Sequence, residues 1–93
     1  MSNVVVYSKE WCPFCDRAKR LLDQKGVVYR EIDVTSDPVL EEEMIERTGR
    51  LTVPQIFVGD VHVGGSDDLY ALERQGKLDE LLGAASAESR AAG

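Results

Sequence analysis

The sequence predicts an α/β fold in which a four-stranded mixed sheet, in the element order β-α-β-α-β-β-α, is flanked by helices. Three observations carry this reading. Apolar, β-branched runs alternate with stretches of helical periodicity over the first half of the chain. Two further apolar runs then follow each other across Gly59-Asp60, the two-residue signature of a hairpin. Prolines at Pro13 and Pro38 and glycines at Gly26 and Gly49 punctuate the alternation where helices should begin and end.

Val4-Val5-Val6-Tyr7 reads as the first strand, and the segment from Pro13 to Lys25 carries Phe14, Ala18, Leu21 and Leu22 at helical spacing before Gly26 stops it. Val27 to Val34 has the β-branched content of a second strand, which makes a right-handed βαβ unit. Asp37-Pro38 opens a second helix whose apolar stripe is Val39, Leu40, Met44 and Ile45, with Met44 as core filler and Gly49 as the stop. Gln55-Ile56-Phe57-Val58 and Val61-His62-Val63 are then two antiparallel strands. Gly64-Gly65 breaks the second of these, and Ser66 can N-cap a helix carrying Leu69, Tyr70 and Leu72. Gly76 divides that helix from a last turn around Leu78, Leu81 and Leu82.

Cys12-Pro13-Phe14-Cys15 falls at the first strand-to-helix junction and contains every cysteine of the chain. Unpaired amides and the positive end of a helix dipole favour an anion at Cys12, and a thiolate is one. Cys15 stands three residues before Ala18 and seven before Leu22, so it faces the buried side. The pattern therefore gives one accessible nucleophile and one sheltered resolving thiol. A structural zinc site wants four ligands, whereas this chain offers two cysteines and the distant His62, which is read as structural; no metal is expected. A permanent disulfide closing so short a loop would constrain the unfolded chain little. A redox dithiol beside a βαβ pattern remains.

The chain has 93 residues, 43% hydrophobic and 30% charged, which fits one domain, expected over residues 1–83, with a modest core. Residues 84–93 turn to Ala, Ser and Gly and read as a flexible tail. A net charge of −6 argues against nucleic acid or an anionic membrane as partner, since both call for a basic surface. No apolar stretch has membrane-spanning length and no basic leader precedes one, so a cytoplasmic protein is expected; it is taken as a monomer. Glu41, Glu42, Glu43 and Glu46 read as a solvated helix face, while Lys9, Arg17, Lys19 and Arg20 can make the field around the cysteines locally positive.

Three blocks narrow the function: Lys9-Glu10-Trp11-Cys12-Pro13-Phe14-Cys15, Thr52-Val53-Pro54-Gln55-Ile56-Phe57 and Gly64-Gly65-Ser66-Asp67-Asp68-Leu69. Together with the element order they resemble a dithiol glutaredoxin of the small bacterial type, within the thioredoxin-like superfamily. Phe14 stands where that family most often has Tyr. The resemblance implies a glutathione-dependent thiol–disulfide oxidoreductase that reduces protein disulfides and protein–glutathione mixed disulfides. Glutathione would be co-substrate, with no tightly bound cofactor; the partners would be glutathione and disulfide-containing or glutathionylated proteins.

The resemblance also implies site roles. Cys12 and Cys15 are catalytic, and glutathione contacts fall to Lys9, Phe14, Thr52, Val53, Pro54, Gly65, Asp67 and Asp68. An X-Pro bond is cis in about 5–6% of folded cases, so sequence alone favours trans at Pro54; the resemblance implies cis. That would leave the Val53 backbone free to pair with a cysteinyl peptide as with an added strand. Gly64-Gly65 and Asp67-Asp68 can be a tight turn and dipole-complementing charges. As a ligand site they would let a ligand approach bare backbone, with helix amides for its carboxylate and an Asp for its ammonium group. Lys9 would take the glycine carboxylate of glutathione, and Trp11 would pack or act as a lid beside the site.

One departure is visible. Where the family usually has Gln or Arg to hold that carboxylate, Glu41 stands and would repel it. Either Lys9 does this work, with Arg47 or Arg50, or glutathione binds more weakly. Two rival functions share the motif: a thioredoxin-like reductase served by a flavoprotein, and a glutathione-ligated iron–sulfur binding module. The Gly64 to Asp68 block argues against the first, and Pro13 against the second.

Overall fold

The structure, a computed structural model, describes residues 3–83; the expected tail at 84–93 lies outside the described residues. Its elements are β1 (Val4–Ser8), α1 (Pro13–Gln24), β2 (Tyr29–Asp33), α2 (Pro38–Thr48), β3 (Gln55–Val58), β4 (Val61–Gly64) and α3 (Ser66–Arg74). Residues 77–83 are helical again. The sheet order is β2-β1-β3-β4, with β1 parallel to β2, and the pairs β1–β3 and β3–β4 antiparallel. This is the mixed four-stranded architecture that the alternation of elements predicts.

Alternation of side chains along β1 and β3 builds two cores. Val4, Val6, Ile56 and Val58 pack with Ala18, Leu21 and Leu22 of α1, Leu69 of α3 and Leu78. Tyr7 and Phe57 face the other way, onto Met44 of α2 and Val34. Each fully buried leucine, such as Leu22, would cost about 2–5 kcal/mol if cut to alanine. These cores hold the end of β1, and hence the start of α1, in place.

The helix ends follow local chemistry. α1 closes in a Schellman turn: Gly26 has φ 70, its N–H donates to the Asp23 carbonyl at 3.0 Å, and Val27 N–H donates to the Leu22 carbonyl at 3.0 Å. That turn takes Val27 out of the sheet, so β2 is shorter than the expected Val27 to Val34, and Val28 is exposed. α2 starts with Asp37 Oδ1 accepting the Leu40 N–H at 3.0 Å and stops at Gly49, φ 69. Its buried side runs through Leu40, Met44 and Thr48, one position round from Val39, which is 75% exposed instead of in the stripe.

α3 begins one residue earlier than expected. Ser66 is its first helical residue, not its cap; Gly65 caps, and Asp68 Oδ2 accepts the Gly65 N–H at 2.9 Å. A carboxylate three residues into the helix reaches back to the cap amide more effectively than the shorter serine side chain could from inside the turn.

Candidate active site

Cys12 is the N-cap of α1, in extended conformation, with Pro13 as the first helical residue. Its Sγ accepts the Cys15 N–H at 3.1 Å and lies 3.9 Å from the Val53 carbonyl oxygen. The two thiols are unbridged in this structure; Cys12 is half-buried and Cys15 fully buried. Burial pushes the Cys15 thiol up to about 12, and its hydrogen bond to Cys12 and the Cys12 charge add to this, against the opposing backbone of Lys9 and charge of Lys19. Trp11 is 96% exposed with φ 56, so of the two roles expected for it, packing or lid, it does not take the first.

The second block forms the wall opposite Cys12. The Val53-Pro54 peptide is cis, as the resemblance implied and the bare prior did not. Gln55, fully buried, fixes the loop: its Nε2 donates to the Thr52 carbonyl at 3.0 Å and to Thr52 Oγ1 at 3.3 Å. With its nitrogen so engaged, Gln55 Oε1 accepts, and His62 Nε2, at 2.7 Å, carries the proton. The His62 ring stacks on Phe57 at 5.0 Å. Burial first, then the charge of Arg50, lowers its pKa, so the neutral ring is favoured. The sequence marks His62 as structural without showing its tie to Gln55, for which two polar residues on paired strands are the signal.

Between this loop and α3 lies a cleft of ≈ 230 Å³ lined by Phe14, Arg50, Thr52, Val53, Pro54, Gly65, Ser66, Asp67 and Asp68. Every expected ligand contact except Lys9 is therefore on one surface. Phe14, 54% exposed, turns into this cleft rather than into the α1 core, whose stripe is Cys15, Ala18, Leu21 and Leu22. Asp68 accepts from Gly65 N–H and from Arg50 at 3.1 Å, and these two partners, the backbone first, hold its carboxyl below the usual carboxylate range. Gly64 has φ 114, and a Cβ there would come within 2.8 Å of Asp68 Cγ. The glycine thus leaves room for the acid, more than for a ligand. Ser66 Oγ is buried and has no partner among the described residues.

Cations near the cysteines are mostly engaged. Lys9 Nζ pairs with Glu41 Oε2 at 2.6 Å, Lys19 with Glu31 at 2.9 Å, and Arg17 lies over the Tyr70 ring at 5.0 Å. The carboxylates facing Lys9 and Lys19, from α2 and β2, therefore compensate part of the positive local field expected from their sequence positions. Arg47, an alternative for the glycine carboxylate, lies instead 4.1 Å above the Phe57 ring and donates to Tyr7 OH at 2.7 Å.

A dithiol held this way can exchange with an external disulfide, so fold and site together define a thiol–disulfide oxidoreductase of thioredoxin-like architecture. Residues 4–63 match the Glutaredoxin family model. Glutaredoxin 3 of Escherichia coli (strain K12) is 55% identical over 82 residues, covering 88% of this chain and 99% of that protein. The solution structure of glutaredoxin from Brucella melitensis superposes with a TM-score of 0.78 at 58% identity, over 88% of this chain and 89% of that one. A crystal structure of a buckwheat glutaredoxin–glutathione complex gives a TM-score of 0.84 at 35% identity, over 92% and 81% of the two chains. The chain belongs to the glutaredoxin family and is a glutathione-dependent thiol–disulfide oxidoreductase. These matches do not favour the flavoprotein-served or cluster-binding alternatives. Among the described residues no helix is long and apolar enough to cross a membrane.

Proposed function

We propose that Cys12 is the nucleophile and Cys15 the resolving thiol, and that the cleft beside the Thr52-Val53-Pro54 loop holds the γ-glutamyl end of glutathione. The asymmetry of the two sulfurs carries this reading. One is half-buried at a helix N-cap and the other is sealed in the core with its proton held to about 12. The buckwheat glutaredoxin captured with glutathione, which shares this fold, supports glutathione as the ligand. Disulfide-bonded and glutathionylated proteins are the substrates, and glutathione serves as co-substrate for a monomer acting in the cytoplasm.

In the one-cysteine route the Cys12 thiolate attacks the glutathionyl sulfur of a protein–glutathione mixed disulfide. The Cys12–glutathione S–S bond forms, the old S–S bond breaks, and the protein thiolate leaves and takes up a proton. A second glutathione thiolate then attacks the glutathionyl sulfur, which yields glutathione disulfide and returns Cys12. In the two-cysteine route Cys12 attacks a protein disulfide, and Cys15 displaces the substrate thiolate to form the Cys12–Cys15 bond, which two glutathiones reduce. Once Cys12 is in a mixed disulfide its charge is gone, so one of the contributions that raise the Cys15 thiol is removed when that thiol must ionise.

At the ligand end, Asp68 is placed to accept an ammonium group, and the first amides of α3, which have no intrahelical acceptor, to receive a carboxylate. The test is paired substitution. Cys12→Ser abolishes all activity, whereas Cys15→Ser retains deglutathionylation and loses protein-disulfide reduction; equal loss in both variants would refute the assignment.

A further inference from the structure

Lys9 Nζ sits 2.6 Å from Glu41 Oε2, each side chain a little over one-third exposed, at 36% and 37%. Lys9 does not line the cleft that gathers the other ligand contacts. The other two cations near the site are engaged as well: Arg47 on Tyr7 and Phe57, and Arg50 on Asp68 in the cleft wall. Glu41 is moreover held where a carboxylate is favoured, in the first turn of α2.

A ligand carboxylate approaching Lys9 meets a pair with no net charge, and must displace a carboxylate that is tethered to the same chain. A free ligand has no such advantage, and near a surface the repulsion from Glu41 offsets the attraction to Lys9. In the cleft Asp68 is paired too, with Arg50, but its carboxylate is also fixed by the Gly65 N–H.

We propose that Glu41 is a specificity-determining residue: by pairing with Lys9 it removes the C-terminal carboxylate of the ligand from recognition. The site then selects γ-glutamyl-cysteinyl thiols as a class, whether the residue after cysteine ends in a carboxylate or in a neutral group. This rests on the cleft being the γ-glutamyl site.

The test uses the full chain and two mixed disulfides of cysteamine, one with glutathione and one with glutathione whose glycine carboxylate is converted to the amide, with glutathione as the common reductant. The wild type turns over both with kcat/KM values within about two-fold of each other. Glu41→Gln raises kcat/KM for the acid roughly three- to five-fold and leaves the amide unchanged, as expected for one exposed charge pair. Adding Lys9→Met to that variant returns the ratio to its wild-type value. A wild type that prefers the acid ten-fold or more, or a Glu41→Gln variant with an unaltered ratio, would overturn this inference alone. Failure of the wild type on both disulfides would overturn the glutathione reading and this inference with it.

Discussion

Cys15 gives its backbone N–H to Cys12 Sγ at 3.1 Å while its own thiol is fully buried, so one residue both serves the outer sulfur and keeps the inner one from solvent. The Cys15 thiol, raised to about 12, stays protonated at neutral pH. Iodoacetamide at pH 7–8 should therefore modify Cys12 and leave Cys15 intact, with Cys15 labelled after unfolding; peptide mass spectrometry reads both. Because the folded value exceeds that of an ordinary cysteine, about 8.5, the stability held by the neutral buried thiol is complete below that pH. It is lost as pH rises through about 12. Substantial native-state labelling of Cys15 at pH 7 would contradict the arrangement.

Asp68 is held ionised by Gly65 N–H and Arg50. Its lowered carboxyl keeps its charge as pH falls through the usual carboxylate range, near 3.9, so its contribution to substrate binding should persist from pH 7 to pH 5. Asp68→Ala should raise KM for a glutathionylated substrate roughly ten-fold, the scale of one charge-assisted hydrogen bond. An unchanged KM in steady-state assays would remove Asp68 from the γ-glutamyl site.

Gly64 combines φ 114 with the Asp68 carboxylate packed where a Cβ would stand. Gly64→Ala should lose about 2–3 kcal/mol in denaturant unfolding, from backbone strain and steric conflict together. It should also raise KM, because Asp68 must move. Stability equal to wild type would mean that the turn relaxes freely.

The His62–Gln55–Thr52 chain is the support of the loop opposite Cys12. Gln55→Leu leaves the Thr52 carbonyl and His62 Nε2–H without their partner and should cost about 2–3 kcal/mol. His62 is depressed below the ordinary histidine value of about 6.5. The unfolded chain therefore takes up its proton first on acidification, and stability is lost as pH falls from that value through the folded one. His62→Gln, which retains a donor for Gln55 Oε1, should show a smaller loss between pH 7 and pH 5. Identical pH profiles in urea titrations would show that His62 does not carry the effect.

Local chemistry made much of this fold readable in the sequence. α1 and α2 each start at a capping side chain followed by proline and stop at glycine, as those signals predict. The hairpin at Gly59-Asp60 and the cysteine junction were equally local. What escaped was decided by groups brought together from distant parts of the chain. Glu41 stands out in the sequence as a charge that would repel a carboxylate, but only the placement of α2 sets it against Lys9. His62 reads as structural, but only the β3–β4 pairing, which sets it opposite Phe57, brings it to Gln55. Ser66 and Val39 were misplaced for a subtler reason: a single position along a helix turns a side chain by about 100°, enough to exchange cap for first turn, or core for solvent.

Trp11, the single tryptophan, stands 96% exposed immediately before Cys12. Disulfides quench indole emission at short range, so the chain carries its own optical gauge of oxidation. Its fluorescence should track the sulfur's state through each catalytic cycle, with no dye attached and no residue added.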